Sequence, residues 1–181
     1  MATESSDPFA ILGPDARRRL RPAPVPDWTD PMLATLTDLR FSDPRWLFER
    51  KFDGERCLAF ARGGRVTLLS RNANVITNAY PEVASALERA AADAPAGSPD
   101  FIADGEIVAF EGRQTSFQRL QRRIHLRAPG PLVQQEVPVF FYLFDLVHLD
   151  GFDLSALGLI DRKRLLRRAI RFGGSGSRRT A

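Results

Sequence analysis

Lysine is almost missing from this chain of 181 residues: of 26 basic residues, only Lys51 and Lys163 are not arginine. Cysteine is scarcer still. Cys57 stands alone, which excludes an internal disulfide framework and suits a reducing compartment. With only His125 and His148 beside it, a Cys/His zinc centre has too few ligands. No apolar run is long enough to span a bilayer. The N-terminal stretch MATESSDPFAILG lacks the basic start and apolar core of a signal peptide. These absences point to a cytoplasmic protein with no membrane partner. With 44% hydrophobic and 27% charged residues, the chain suits one domain with a real core, and not comfortably two.

The scarcity of lysine bears on what remains. An amine can lose its proton and attack an electrophile, whereas a guanidinium stays protonated. A lysine kept in so arginine-rich a chain therefore asks what arginine could not do there. The charge is also unevenly placed. Eight of the 26 basic residues and none of the 22 acidic ones fall within 162–181, so the first 161 residues carry a net charge of −4. The basic end could hold phosphate backbones non-specifically, or be a solvated helix with a frayed tail. Arg17-Arg18-Arg19 reads as a solvated run, and Cys57 as a small buried residue rather than a nucleophile.

Residues 1–30, with Pro22, Pro24 and Pro26, read as a flexible or extended lead-in. Trp46–Lys51 is a plausible strand. Arg56–Arg62 and Arg65–Ser70 form a hairpin pattern about Gly63-Gly64. Pro81–Ala92 has helical spacing behind a proline suited to the first helical position. Phe101–Phe110 suggests two strands about a tight Asp-Gly feature, and Ser116–Arg123 a short helix capped by Thr115 or Ser116. Val137–Leu146 reads as a buried strand and Asp161–Ile170 as a basic amphipathic helix. The GGSGS run over 173–177 ends the patterned region, so 171–181 is expected to be a disordered basic tail. Hairpins mixed with helices predict an α+β fold with antiparallel sheets rather than a parallel doubly wound one.

The chemistry gathers in Glu49-Arg50-Lys51-Phe52-Asp53-Gly54-Glu55-Arg56. An amine, a carboxylate and a guanidinium lie around one tight bend. Guanidinium forks suit phosphate oxygens, and a lysine among cations can become a nucleophile. By ordinary residue usage, a chance Lys-x-Asp-Gly-x-Arg match in such a chain is on the order of a few in a thousand. Three further segments follow in order: Ser70-Arg71-Asn72, Asp104-Gly105-Glu106 and Phe144-Asp145-Leu146. Taken singly, Arg71 would be a solvated charge, Asp104-Gly105-Glu106 a turn and Phe144 a core residue.

Together these segments resemble the nucleotidyltransferase signature shared by ATP-dependent DNA ligases, RNA ligases and mRNA capping enzymes. With Pro31-Met32-Leu33-Ala34 before them and Thr115-Ser116-Phe117 between them, the likeness is greatest to the ligase domain of bacterial end-joining ligases, the ligase D group. It runs from about Pro31 to about Ile170. It implies an ATP-grasp-like nucleotidyltransferase domain with antiparallel sheets flanked by helices, over 31–170. It also implies roles: Lys51 attacks the α-phosphorus of ATP and holds AMP; Glu49 accepts from the adenine amino group; Arg56 lies near the adenylate phosphate. Arg71 and Glu106 contact the ribose, Glu106 also lies near a metal, and Phe144 stacks on adenine. The cofactors implied are ATP and Mg²⁺. The partner implied is nicked or broken double-stranded DNA in repair and recombination, with end-joining proteins as further partners.

The sequence departs from that family at two places. Ser70-Arg71-Asn72 is followed by Ala73, where the family usually has glycine. The family's later Glu-Gly and Lys-x-Lys segments, and its OB-fold domain, have no counterpart after Phe144. The chain is thus expected to be an incomplete adenylation domain with impaired activity and uncovered apolar sheet edges, unless a separate polypeptide supplies the rest. Readings left open are a non-catalytic nucleotide- or DNA-binding remnant, a related RNA ligase or capping enzyme, and an incomplete product that does not fold.

Overall fold

The computed structural model describes residues 7–95 and 97–171. In chain order the elements are a 3₁₀ turn (Pro8–Ile11), α1 (Pro14–Arg18), β1 (Arg21–Pro22), β2 (Glu55–Arg62) and β3 (Arg65–Ser70). A second 3₁₀ turn (Thr77–Ala79) leads to α2 (Pro81–Ala92), β4 (Phe101–Glu111) and β5 (Gln114–Thr115). Then come α3 (Phe117–Ile124), α4 (Pro131–Glu136), β6 (Val139–Leu149), β7 (Phe152–Asp153) and α5 (Leu159–Ala169). Every pairing is antiparallel, in the order β1-β7-β6-β4-β2-β3, with β5 beside β4. The α+β expectation holds.

The hairpin forms as the two glycines dictate. Gly63 and Gly64 have φ of 53° and 77°, the positive values that a two-residue primed turn needs. α2 starts at Pro81, and α3 is capped by the Ser116 hydroxyl, which accepts from the Arg119 amide at 3.2 Å.

Strand alternation divides the sheet into two unlike faces. Cys57, Ala59 and Ala61 of β2, Phe101, Ala103, Ile107 and Ala109 of β4, and Leu143, Leu146 and Leu149 of β6 enter the main core. Helices cover that face: Val83, Leu87 and Ala91 of α2, Leu120 of α3, and Leu165, Leu166 and Ala169 of α5 are buried against it. Each large side chain so buried stabilises by roughly 1.5–3 kcal/mol. The opposite face carries a small cluster, Leu58, Phe60 and Ile102, covered by Val25 and Trp28. Beyond that cluster, no helix of the described residues lies over this face.

Four expectations need correction, and one element, α4, was not foreseen. Trp46–Lys51 is not a strand, because it has no neighbour to pair with, and 31–54 runs as an irregular strap. Asp104-Gly105 is not a turn: β4 is continuous, with Gly105 paired to both Cys57 and Leu143. The lead-in is ordered from Asp7 onward, since Phe9 and Leu12 are buried and the Ala23 carbonyl meets the His148 ring at 2.9 Å. Finally, most exposed apolar residues are not on the sheet edge, where β3 shows Arg65 and Thr67 to solvent and only Val75, bridged to Leu69, is apolar and exposed among the described residues. They gather instead in the strap, with Met32, Leu33, Leu36, Leu39, Phe41, Trp46, Leu47 and Phe48 all exposed. The tail over 172–181 lies outside the described residues. No helix among those described is long and apolar enough to cross a membrane.

Candidate active site

The part of the second face that no helix covers, where the strap crosses, is where Arg56, Glu106 and Phe144 meet. β2 points Arg56 to the same side as Leu58 and Phe60, and β4 points Asp104 and Glu106 to the side of Ile102. Arg56 and Glu106 are directly paired across the ladder. The Arg56 guanidinium grips Asp104 with both prongs, Nε to Oδ1 at 2.6 Å and Nη2 to Oδ2 at 2.7 Å. It also donates to the Met32 carbonyl at 3.2 Å and stands over the Phe144 ring, 4.5 Å from its centroid. One face of that ring is thereby occupied.

Phe144 reaches this place through a bulge. The register of β6 on β4 passes from Asp104–Asp145 to Gly105–Leu143, so Phe144 has no partner of its own. Such irregularities re-aim a side chain. The turn is held from the helix side by buried Arg162 of α5, which grips Asp145 through two bonds of 2.8 Å and donates to the Leu157 carbonyl at 2.7 Å.

Glu106 takes the chain just after Lys51 into its grasp. The Gly54 amide donates to Glu106 Oε1 at 3.1 Å. Next to it Phe52 stacks on Tyr142 with ring centroids 4.4 Å apart. Burial pushes the carboxyls of both Asp104 and Glu106 up, against the opposing pull of Arg56. Lys51 itself is exposed and, among the described residues, has no hydrogen-bond or ion-pair partner. Glu49 is paired to Lys163 of α5. Arg71 is exposed in the turn after β3. Thus Arg56, Glu106 and Phe144 are brought together, the backbone just after Lys51 is anchored to the same sheet through Phe52 and Gly54, and no contact among the described residues joins the side chains of Lys51 or Arg71 to them. Cys57 is the small buried residue expected: it is fully buried, and burial lifts its thiol well above the usual range.

Two small residues have structural reasons for their identity. A β-carbon on Gly54 would lie 2.2 Å from the Ile107 carbonyl and 2.7 Å from Val108 Cγ1. Gly54→Ala is expected to cost about 1–3 kcal/mol by overpacking and to pull the Gly54 amide from Glu106. Urea melts check this, and a variant as stable as the parent would refute the close approach. Ala73, standing where glycine was expected, has φ of 59° in the turn closed by the Ala73 amide on the Ser70 carbonyl at 2.9 Å. Because left-handed backbone costs a β-carbon roughly 1–2 kcal/mol, Ala73→Gly should stabilise the chain by about 1 kcal/mol after the entropy of glycine is deducted. A lower melting temperature in that variant would contradict the strain.

Sequence reasoning missed Asp104, Tyr142 and Lys163 as site residues. Alternation along the predicted strand Val137–Leu146 could have found Tyr142, two residues before Phe144, whereas reading Asp104-Gly105 as a turn hid the face that Asp104 shares with Glu106. A cleft of about 460 Å³ lies elsewhere, lined by Ile11, Pro95, Arg164, Arg167, Arg168 and Arg171, and shares no residue with this site. No group of three or more metal-ligating side chains occurs among the described residues.

Known proteins offer close comparisons. The sequence profile of the "ATP dependent DNA ligase domain" matches residues 31–178. A probable DNA ligase of Opitutus terrae is 41% identical over 127 residues, 69% of this chain and 12% of that protein. A DNA ligase of Ignicoccus hospitalis is 35% identical over 168 residues, 84% of this chain and 26% of that protein. The crystal structure of the ligase domain from M. tuberculosis LigD superposes with a TM-score of 0.53 at 32% identity, covering 66% of this chain and 35% of that one. A mycobacterial DNA ligase D complexed with ATP and MES gives 0.51 at 32% identity, with the same coverage of 66% and 35%. The chain therefore spans only a minor part of each of these relatives.

Proposed function

The chain belongs to the ATP-dependent DNA ligase family, and on that premise we propose that residues 31–170 form the part of an adenylation domain in which Lys51 takes AMP from ATP. The observation that supports this reading is the convergence of Gly54, Arg56, Asp104, Glu106 and Phe144 on one sheet face, with Gly54 only three residues after Lys51.

In the proposed step the unprotonated Lys51 amine attacks the α-phosphorus of ATP. A P–N bond forms, the P–O bond to the leaving pyrophosphate breaks, and the nitrogen sheds a proton to solvent. A DNA 5′-phosphate oxygen then attacks the same phosphorus, the P–N bond breaks and Lys51 regains its proton. Attack by a 3′-hydroxyl on the 5′-phosphorus of the break expels AMP and joins the strands. Nicked or broken duplex DNA is the proposed partner, in repair and recombination by end joining.

Each residue takes the task that the family resemblance gives it. Glu49 accepts from the adenine amino group and Phe144 stacks on the base with the ring face turned away from Arg56. Arg71 and Glu106 contact the ribose. Arg56, already oriented by Asp104, keeps donors for the adenylate phosphate. A magnesium ion is usually held by one or two carboxylates together with nucleotide phosphates. Glu106 fits that limited demand, since one of its oxygens holds Gly54 and the other has no hydrogen-bond partner among the described residues. The ion would neutralise charge on the phosphates when bound.

The test is incubation of the full chain with α-phosphate-labelled ATP and magnesium. Label that stays on the denatured protein, is released as ATP when pyrophosphate is added back, and transfers as AMP to nicked duplex supports the reading. Saturable ATP binding without any covalent label would replace it with a non-catalytic binding role.

A further inference from the structure

Between its attachments at Met32 and at Phe52 and Gly54, the strap that bears Lys51 makes few bonds to the rest of the described chain. Among the described residues, 33–51 reaches the sheet and helices through one hydrogen-bonded contact, Glu49 with Lys163; its other bonds and ring contacts are local or to Phe52. Lys163 Nζ donates to the Glu49 carboxylate and also, at 2.8 Å, to the Phe144 carbonyl. Its base is rigid, because the preceding Arg162 is buried and locked to Asp145 and the following Leu165 and Leu166 are buried in the core.

We propose that Lys163 is a positioning residue that fixes the Glu49 carboxylate beside Phe144 and so sets the preference for adenine over guanine. This rests on the reading of Glu49 and Phe144 as the base-holding pair. An ammonium is a compact charge with three donors, so it can serve a carboxylate and a carbonyl from one point, where the planar fork of arginine spreads its donors apart. That gives a reason for the second lysine of a chain that otherwise uses arginine. One side of the Glu49 carboxylate is held by the ammonium, and its remaining lone pairs are left for the 6-amino group of adenine. A guanine would present its 6-oxo group there, acceptor against acceptor. A partly exposed ion pair contributes little to global stability, so removing it should leave the fold intact.

The scarcity of lysine makes the test direct. Reductive methylation of the full chain with ¹³C-formaldehyde gives two side-chain NMR signals. Lys163 is expected to react several-fold more slowly than Lys51, and Glu49→Gln to speed Lys163 alone. Equal reactivity in parent and variant would overturn the clamp, whether or not nucleotide binds. The second arm measures binding of fluorescent ATP and GTP analogues. Lys163→Ala should weaken ATP by roughly tenfold or more, the size of one charge-assisted hydrogen bond, and leave GTP nearly unchanged. Lys163→Arg should not restore the preference. An equal loss for both nucleotides would mean a merely structural role and overturn the proposal. A parent chain that binds neither nucleotide, while Lys163 still responds to Glu49→Gln, would sink the adenylation reading and the base preference together but leave the clamp established.

Discussion

Lys51→Arg is expected to bring the covalent adenylate to background, a loss of about a thousandfold or more, while the chain melts at the parent's temperature. The two halves of this expectation come from different facts. The guanidinium keeps the charge and most of the length, but it stays protonated at any pH the protein survives and offers no lone pair to phosphorus. The fold is indifferent because Lys51 is exposed and, among the described residues, pairs with nothing. Label retained on the denatured protein reports the first half, and a circular dichroism melt the second. Undiminished label in the variant would remove Lys51 from the reaction, and label on another residue would relocate the site. A melting temperature several degrees lower would instead show a structural task for this side chain.

The largest effect on stability is expected at Arg123, which is fully buried at the end of α3. Its guanidinium donates to Glu82, to the Ala79 carbonyl at 2.8 Å and to the Val137 carbonyl at 3.3 Å, and it stands over the Tyr80 ring at 5.4 Å. It thus ties α3 to the start of α2 and to the entry of β6. Arg123→Met keeps the volume but strands two carbonyls and a half-buried carboxylate. Breaking a buried pair on one side costs about 3–5 kcal/mol. In a chain of this size about 1 kcal/mol moves the melting temperature by roughly 2–4 °C, so a fall of about 10 °C is expected. Adding Glu82→Met removes the stranded charge and should recover part of the loss, though the two carbonyls stay unpaired. Urea denaturation of the parent, both single variants and the double variant gives the coupling. A single Arg123→Met variant within about 1 kcal/mol of the parent would show that the buried network carries no weight.

Arg123 also shows where sequence reading fails. Beside Arg122 in a short polar helix it looks like any surface charge, because burial is decided by what packs over the helix. The same blindness applied to Trp46–Lys51. Its residues have strand character, but a strand needs a neighbour, and in this structure none lies beside that segment. The Asp104-Gly105 pair misled in the opposite direction. Asp-Gly is a turn signal locally, yet here Gly105 is needed because a β-carbon would meet the Tyr142 carbonyl at 2.5 Å, across the sheet.

Elements governed by short-range physics were legible from the residues alone: the Gly63-Gly64 hairpin, α2 behind Pro81, the Ser116 cap and the α+β class. So was the family, because the signature segments keep their order and type. Tertiary structure alone decided that β4 runs unbroken, that a bulge swings Phe144 under Arg56, and that Asp104 rather than solvent orients Arg56. It also decided that Lys163, 112 positions after Lys51 by the numbering, closes on Glu49. Those facts depend on strands from distant parts of the chain meeting in one register, and no local preference encodes that meeting.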